Sequence, residues 1–175
     1  MKSHLKSHLK SKICKASFTL LAALVCVLTF AQTASAQIED WDFAARRLEG
    51  SWTVQVTLRD CGSGAALGKP FLSMLTFARG GTLLETTSSP AFFPAVRGPG
   101  HGVWSHANHH QFKAVSIAFI TMNGLLVRTQ TISQTIEMGN NPDTFTTPSA
   151  SVVFVAADGS PTVNACASAT GKRIE

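Results

Sequence analysis

The sequence predicts an all-β fold: an eight-stranded antiparallel up-and-down β-barrel with a short N-terminal helical lead-in. Three observations predict it. Residues 51–60 alternate, with Trp52, Val54, Val56 and Leu58 on one face and Thr53, Gln55, Thr57 and Arg59 on the other, which is the period of a half-buried strand. From Gly50 onward eight strand-like runs succeed one another, and no helical period of useful length interrupts them. Asn123-Gly124 and Asp158-Gly159 are tight-hairpin dipeptides, because their residues tolerate the positive φ that a type I′ turn demands. A meander of this kind can close on itself and so remove its exposed edges.

The elements follow in order. Residues 1–36 read as a secretory signal peptide, with a Lys-rich start, an apolar run from Ala16 to Ala31 and the small residues Ala34-Ser35-Ala36 at a cleavage site. The apolar run is short for a spanning helix, although retention as an anchor is the alternative. Residues 37–175 then form a single domain. Residues 38–49 are expected to be helical or 3₁₀, anchored by Trp41, Phe43 and Leu48. The strands are expected at 51–60, 71–79, 82–88, 102–107, 111–122, 125–138, 144–156 and 162–170, the last extending toward Ile174. Pro148 interrupts the seventh. Gly80-Gly81 and residues 139–142 read as turns, and residues 89–100, with three prolines and two glycines, as the longest loop.

Charge excludes more than it assigns. The whole chain carries 15 Lys+Arg against 10 Asp+Glu, a net charge of +5. Five of those lysines, and no acid, lie in residues 1–36, so the remainder holds ten basic and ten acidic side chains. The basic excess is an export label rather than a surface for nucleic acid. Cys14 and Cys26 leave with the leader, and Cys61 and Cys166 remain. Two cysteines in an oxidising compartment read as one disulfide. The expected location is secreted or periplasmic, with no membrane association after leader cleavage.

A short lead-in, then Gly50-Ser51-Trp52, then eight strands, and Arg173 near the C-terminus together resemble the calycin superfamily. That superfamily comprises lipocalin-like barrels and relatives such as the allene oxide cyclase-like barrels. Gly50-Ser51-Trp52 looks like the family's GxW at the start of strand one, and Arg173 stands where the family places a basic residue across that Trp. With only two residues after Arg173, the C-terminal helix of typical lipocalins is not expected here. The resemblance implies a closed barrel with an interior for a ligand. A register test agrees with closure. If Cys61 and Cys166 face each other on antiparallel strands, Trp52 falls opposite Glu175, Val54 opposite Arg173 and Leu58 opposite Ala169. The apolar face of the first strand then meets Val163, Ala165, Ala167, Ala169 and Gly171, and Arg173 comes within cation–π reach of Trp52.

The sixth strand carries the candidate chemistry. Its Thr129, Thr131, Ser133 and Thr135 face solvent, and the inward face of Leu126, Ile132, Ile136 and Met138 also holds Arg128, Gln130 and Gln134. Buried polar groups need partners, and a partly polar interior is what a ligand cavity requires. Glu85, between Leu83 and Thr87, is expected to point inward toward Arg128. The plainer readings are a structural Glu85–Arg128 pair, or Arg128 at the rim with its head in water. His101 flanks the long loop at the barrel mouth as a base or ligand contact, or as a rim histidine. His106, His109 and His110 read as a solvated hairpin tip rather than a metal site. Phe92 and Phe93 make the 89–100 loop a lid, a partner-binding patch or a cover for the barrel's own core, and Arg97 reads as a solvated loop arginine that can attract an anion.

No Gly-x-Ser-x-Gly elbow is present, and Gly62-Ser63-Gly64 precedes no helix that would hold phosphate. The expected partner is thus a small apolar or amphipathic molecule, bound by Glu85, Arg128, Gln130, Gln134 and His101 without a cofactor or metal. The alternatives are a cyclase or isomerase on the same barrel, with Glu85 as acid or base, and a surface interaction protein using the 89–100 loop.

Overall fold

A computed structural model of the chain describes residues 46–175, the side chains of 161 and 162 excepted. The leader and residues 38–45 of the lead-in lie outside the described residues. Eight strands follow in chain order: β1 (Gly50–Arg59), β2 (Ala66–Ala78), β3 (Thr82–Thr87), β4 (Val96–Asn108), β5 (Gln111–Met122), β6 (Leu125–Met138), β7 (Thr144–Ala156) and β8 (Pro161–Arg173). Each pairs antiparallel with the next, and β1 pairs with β8, so the sheet closes into a barrel. The bounds of β5, β6 and β7 are those the alternation predicts. Asn123 and Gly124 both take positive φ, 52° and 77°, as a primed hairpin turn requires.

β2 and β4 begin earlier than expected because each absorbs turn residues as a bulge. In β2 the Gly68–Pro70 stretch sits at a register shift against β1. In β4 the shift lies between Arg97 and Gly100 and takes up Gly98-Pro99. A proline lacks the N–H that a continuous ladder needs, and a bulge is where a strand tolerates one. Pro148 obeys the same rule, at shifts in both the β6–β7 and β7–β8 ladders.

Closure differs from the expected register by two residues. Trp52 pairs with Arg173 and Arg59 with Cys166, while Cys61 and Cys166 still form a disulfide with a Cα separation of 5.2 Å. The reason is local. The Asp60 carboxylate accepts from the amides of Gly62 and Ser63 and from the Ser63 hydroxyl. The chain has therefore turned out of the ladder before Cys61, and the disulfide reaches diagonally. A shift of two keeps every side chain on its face, so Val54, Val56 and Leu58 still meet Gly171, Ala169 and Ala167.

The barrel end that holds the start of β1 is filled. Trp52, Phe77, Phe112 and Phe145 are each at most 1% exposed and pack with Trp104, Leu48 and Ile136. Trp52 and Phe145 meet edge to face at 5.0 Å between centroids. Arg173 caps this end: its guanidinium carbon lies 4.2 Å from the Trp52 ring centroid. The same group donates to the carbonyls of Glu49 and Arg47 at 2.6 and 2.7 Å and to Asp143 Oδ1 at 2.9 Å. Gly50 is required here. It has φ +123°, and a Cβ on it would lie 2.7 Å from Arg173 Nη1. Gly50, Trp52 and Arg173 therefore form one structural unit.

Candidate functional site: a half-hollow barrel

Side-chain volume divides the barrel into two halves. Beyond the aromatic layer, the inward positions of β8 are Ala165, Ala167 and Ala169, and β7 adds Ala150 and Val152. These residues are too small to meet across the barrel, so a cavity of about 520 Å³ remains. Its walls are mostly apolar, with Val54, Val56, Leu75, Ile120, Ile132 and Phe154 among them. The cavity opens at the end that carries the disulfide and the β3–β4 connection. That connection makes one 3₁₀ turn at Pro90–Phe92, begun by Ser89, whose hydroxyl accepts from the Ala91 amide. Phe92 is half-buried at the mouth, 6.5 Å from the Phe154 ring, whereas Phe93 is 88% exposed. The loop thus covers part of its own barrel and leaves one aromatic ring in solvent.

A buried polar cluster interrupts the apolar wall. Arg97 Nη2 donates to Glu85 Oε2 at 2.8 Å, and the two side chains are 2% and 7% exposed. Arg97 Nε donates to Gln130 Oε1 at 2.5 Å and Nη1 to the Gly98 carbonyl at 3.1 Å. Ser116 Oγ donates to the same Glu85 Oε2 at 3.2 Å. Gly100 makes room for the cluster, since a Cβ there would stand 2.7 Å from Glu85 Oε2 and 3.4 Å from Arg97 Nη2. Among the described residues none donates a hydrogen bond to Glu85 Oε1. Thr87 also lines the cavity, but its hydroxyl oxygen is itself buried, with no hydrogen-bond partner among the described residues.

The expected residues therefore separate. Glu85 and Gln130 are buried and stand together, but the guanidinium between them belongs to Arg97 and not to Arg128. Arg128 is exposed at the rim, where it still lines the cavity mouth. Gln134 is half-buried on the cavity wall, and its Oε1 accepts from Thr147 Oγ1 at 3.5 Å. His101 does not join them. It is exposed on the outer wall, paired with Leu84 and Ile117 across the ladders. The hairpin histidines have other contacts: His106 packs against Phe112 at 5.1 Å, and His110 Nδ1 lies 2.6 Å from Arg47 Nη1.

Arg97 corrects the loop reading, and the bulge explains why. Counting back by twos from the inward Trp104 gives 102, 100, 98 and 96, which would leave Arg97 outside. The extra residue at Gly98-Pro99 reverses the parity, so Arg97 enters the barrel opposite Ile120, and Val96 turns out to 66% exposure. A Gly-Pro pair inside an otherwise extended segment was the available signal.

No protein-family model matches the chain, and a comparison with curated proteins found none similar to it. The closed eight-stranded antiparallel barrel is compatible with a calycin-like fold on architecture.

Proposed function

We propose that this protein is an exported calycin-like barrel that binds one small, largely apolar molecule in its hollow half. The observation that carries the reading is a cavity of about 520 Å³ whose apolar wall holds a buried Glu85–Arg97–Gln130 cluster. That size and composition suit a small-molecule site. Export is supported by the leader sequence and by the Cys61–Cys166 disulfide, which suits an oxidising compartment. Two measurements test the binding. Native mass spectrometry of the exported protein is expected to reveal a co-purifying small molecule, and an apolar fluorescent probe is expected to bind with one-to-one stoichiometry. Ala167→Phe, which fills the cavity from β8, is expected to abolish probe binding while the far-ultraviolet spectrum is kept. Unchanged probe binding in that variant refutes an interior site.

A second reading, an isomerase or cyclase on the same barrel, is favoured by the unbonded Oε1 of Glu85 beside the cavity, where it can serve as an acid or base. It requires that a bound molecule be converted to an isomer of the same mass and that Glu85→Gln stop the conversion while binding persists.

A further inference from the structure

From the polar cluster we infer that the cavity selects an uncharged ligand carrying a hydroxyl group, bound with that hydroxyl inward against Glu85, and that it rejects carboxylates. The inference rests on the ligand-binding reading above and names its ligand class. The two charges of the cluster are unequal in what they offer. Arg97 is covered, with Nε, Nη1 and Nη2 already donating to Gln130, Gly98 and Glu85. Three of its five N–H donors are engaged, its side chain is 2% exposed, and it is not among the residues lining the cavity, so Glu85 and not Arg97 meets a ligand. Glu85 is the partner with an oxygen to spare, so the unspent group beside the cavity is an acceptor.

Around that oxygen the neighbouring groups are neutral. Gln130, which lines the cavity, gives its carbonyl to Arg97 and keeps its amide nitrogen. An alcohol can donate to Glu85 Oε1 and accept from the Gln130 amide. A carboxylate in the same place would meet Glu85 with like charge at short range in a poorly screened interior. An ammonium can also donate to Glu85 Oε1, but Arg97 already balances that carboxylate, so the ammonium's desolvation is offset only in part.

The opposite orientation places an anionic head at the mouth on Arg128 and an alkyl tail inward. Arg128 is exposed to water there, so its attraction is weak. The tail would also seal Glu85 Oε1 against hydrocarbon, and an unpaired carboxylate oxygen opposes that. Both arguments favour the hydroxyl-inward ligand.

The test uses four probes on the disulfide-intact protein: an apolar naphthylamine dye, and decanol, decanoate and decylamine as competitors of equal chain length. Decanol is expected to displace the dye at least about tenfold more tightly than either charged analogue. Glu85→Gln removes the repelling charge and leaves Arg97 cationic, so decanoate is expected to gain and the preference to collapse or reverse. Should that variant fail to fold, Arg128→Gln serves in its place, and the decanol-to-decanoate ratio is expected to stay within about twofold of the parent value. Equal or tighter binding of decanoate or decylamine by the unmodified protein overturns the inference while leaving a ligand-binding barrel intact. Loss of decanoate binding in Arg128→Gln overturns it too, because the anion would then sit at the mouth. Failure of the dye and all three competitors to bind overturns the ligand-binding reading itself.

Discussion

Replacing Arg97 with methionine removes a cation from the barrel interior and leaves its partners in place. Methionine reproduces the aliphatic stem but not the guanidinium, so a small void opens beside Glu85 as well. Glu85 Oε2 keeps only the Ser116 hydroxyl, while Gln130 Oε1 and the Gly98 carbonyl each lose a donor. The side chains of the pair are 2% and 7% exposed, so solvent screening takes little from the interaction. Breaking one side of a buried ion pair costs about 3–5 kcal/mol, because the remaining charge stays desolvated. The two other acceptors would add ~1–3 kcal/mol each if they stayed dry, but cavity water can reach them, so the total stays near the pair value. Against a domain stability of ~5–15 kcal/mol this is a large fraction. For a domain of this size it corresponds to a fall in Tm of roughly 10–20 °C. Urea denaturation of the parent, Arg97→Met, Glu85→Leu and the double variant closes the cycle. The double variant is expected to recover more than half of the loss, giving a coupling of about 2–3 kcal/mol. A cost below about 1 kcal/mol for Arg97→Met, or a double variant as unstable as the worse single one, would refute the argument that desolvated charge sets the penalty.

Three further outcomes are expected. Replacing Cys61 and Cys166 with alanine opens a link between residues 105 apart, and is expected to cost about 2–5 kcal/mol in denaturant unfolding; the native spectrum is expected to persist, because the β1–β8 ladder closes the barrel without the bond. Arg173→Lys keeps the charge but cannot reach Arg47, Glu49 and Asp143 together, so a loss of about 1–3 kcal/mol and a changed Trp52 fluorescence are expected. Asp60 is held below its ordinary value of 3.8 chiefly by the Ser63 amide and then by the Ser63 hydroxyl, and Asp158 chiefly by the Ser160 hydroxyl and then by its amide. A depressed folded pKa means that each carboxylate's contribution is complete above 3.8 and disappears as pH falls through the lower folded value; carboxyl-carbon NMR titration is expected to place both midpoints below that of a free aspartate.

Alternation made the barrel legible, and bulges hid part of its interior. β5, β6 and β7 have no proline, or one placed where the ladder can shift, so period two carries through to their ends. The pairing of the first and last strands is legible because Cys61, Cys166, Trp52 and Arg173 constrain each other; the register differs by two because Asp60 turns the chain before Cys61. In the polar cluster Glu85 and Gln130 follow simple parity and were found. Arg97 does not, because one extra residue at Gly98-Pro99 inverts its facing. Nearness to a loop suggests a mouth position for His101, but β4 begins at Val96, so His101 lies within the strand and faces outward. The cavity had a sequence signal as well. Ala165, Ala167 and Ala169 were legible as an apolar face, and their small volume opposite Val54, Val56 and Leu58 is what leaves the upper barrel hollow.

The Glu85–Arg97 pair need not be there for stability. Apolar residues of similar volume can match or exceed a buried ion pair, because they avoid desolvating two charges. The Arg97→Met, Glu85→Leu double variant therefore separates what the pair does for the fold from what it does for a ligand. If the pair serves only the fold, the double variant is expected to bind decanol and decanoate with the same ratio as the parent. If Glu85 reads the ligand's polar group, the double variant is expected to regain stability and lose discrimination, since its apolar wall no longer holds an acceptor for a hydroxyl or a charge against a carboxylate. Stability and selectivity then move in opposite directions in one protein. A purely structural ion pair cannot produce that result.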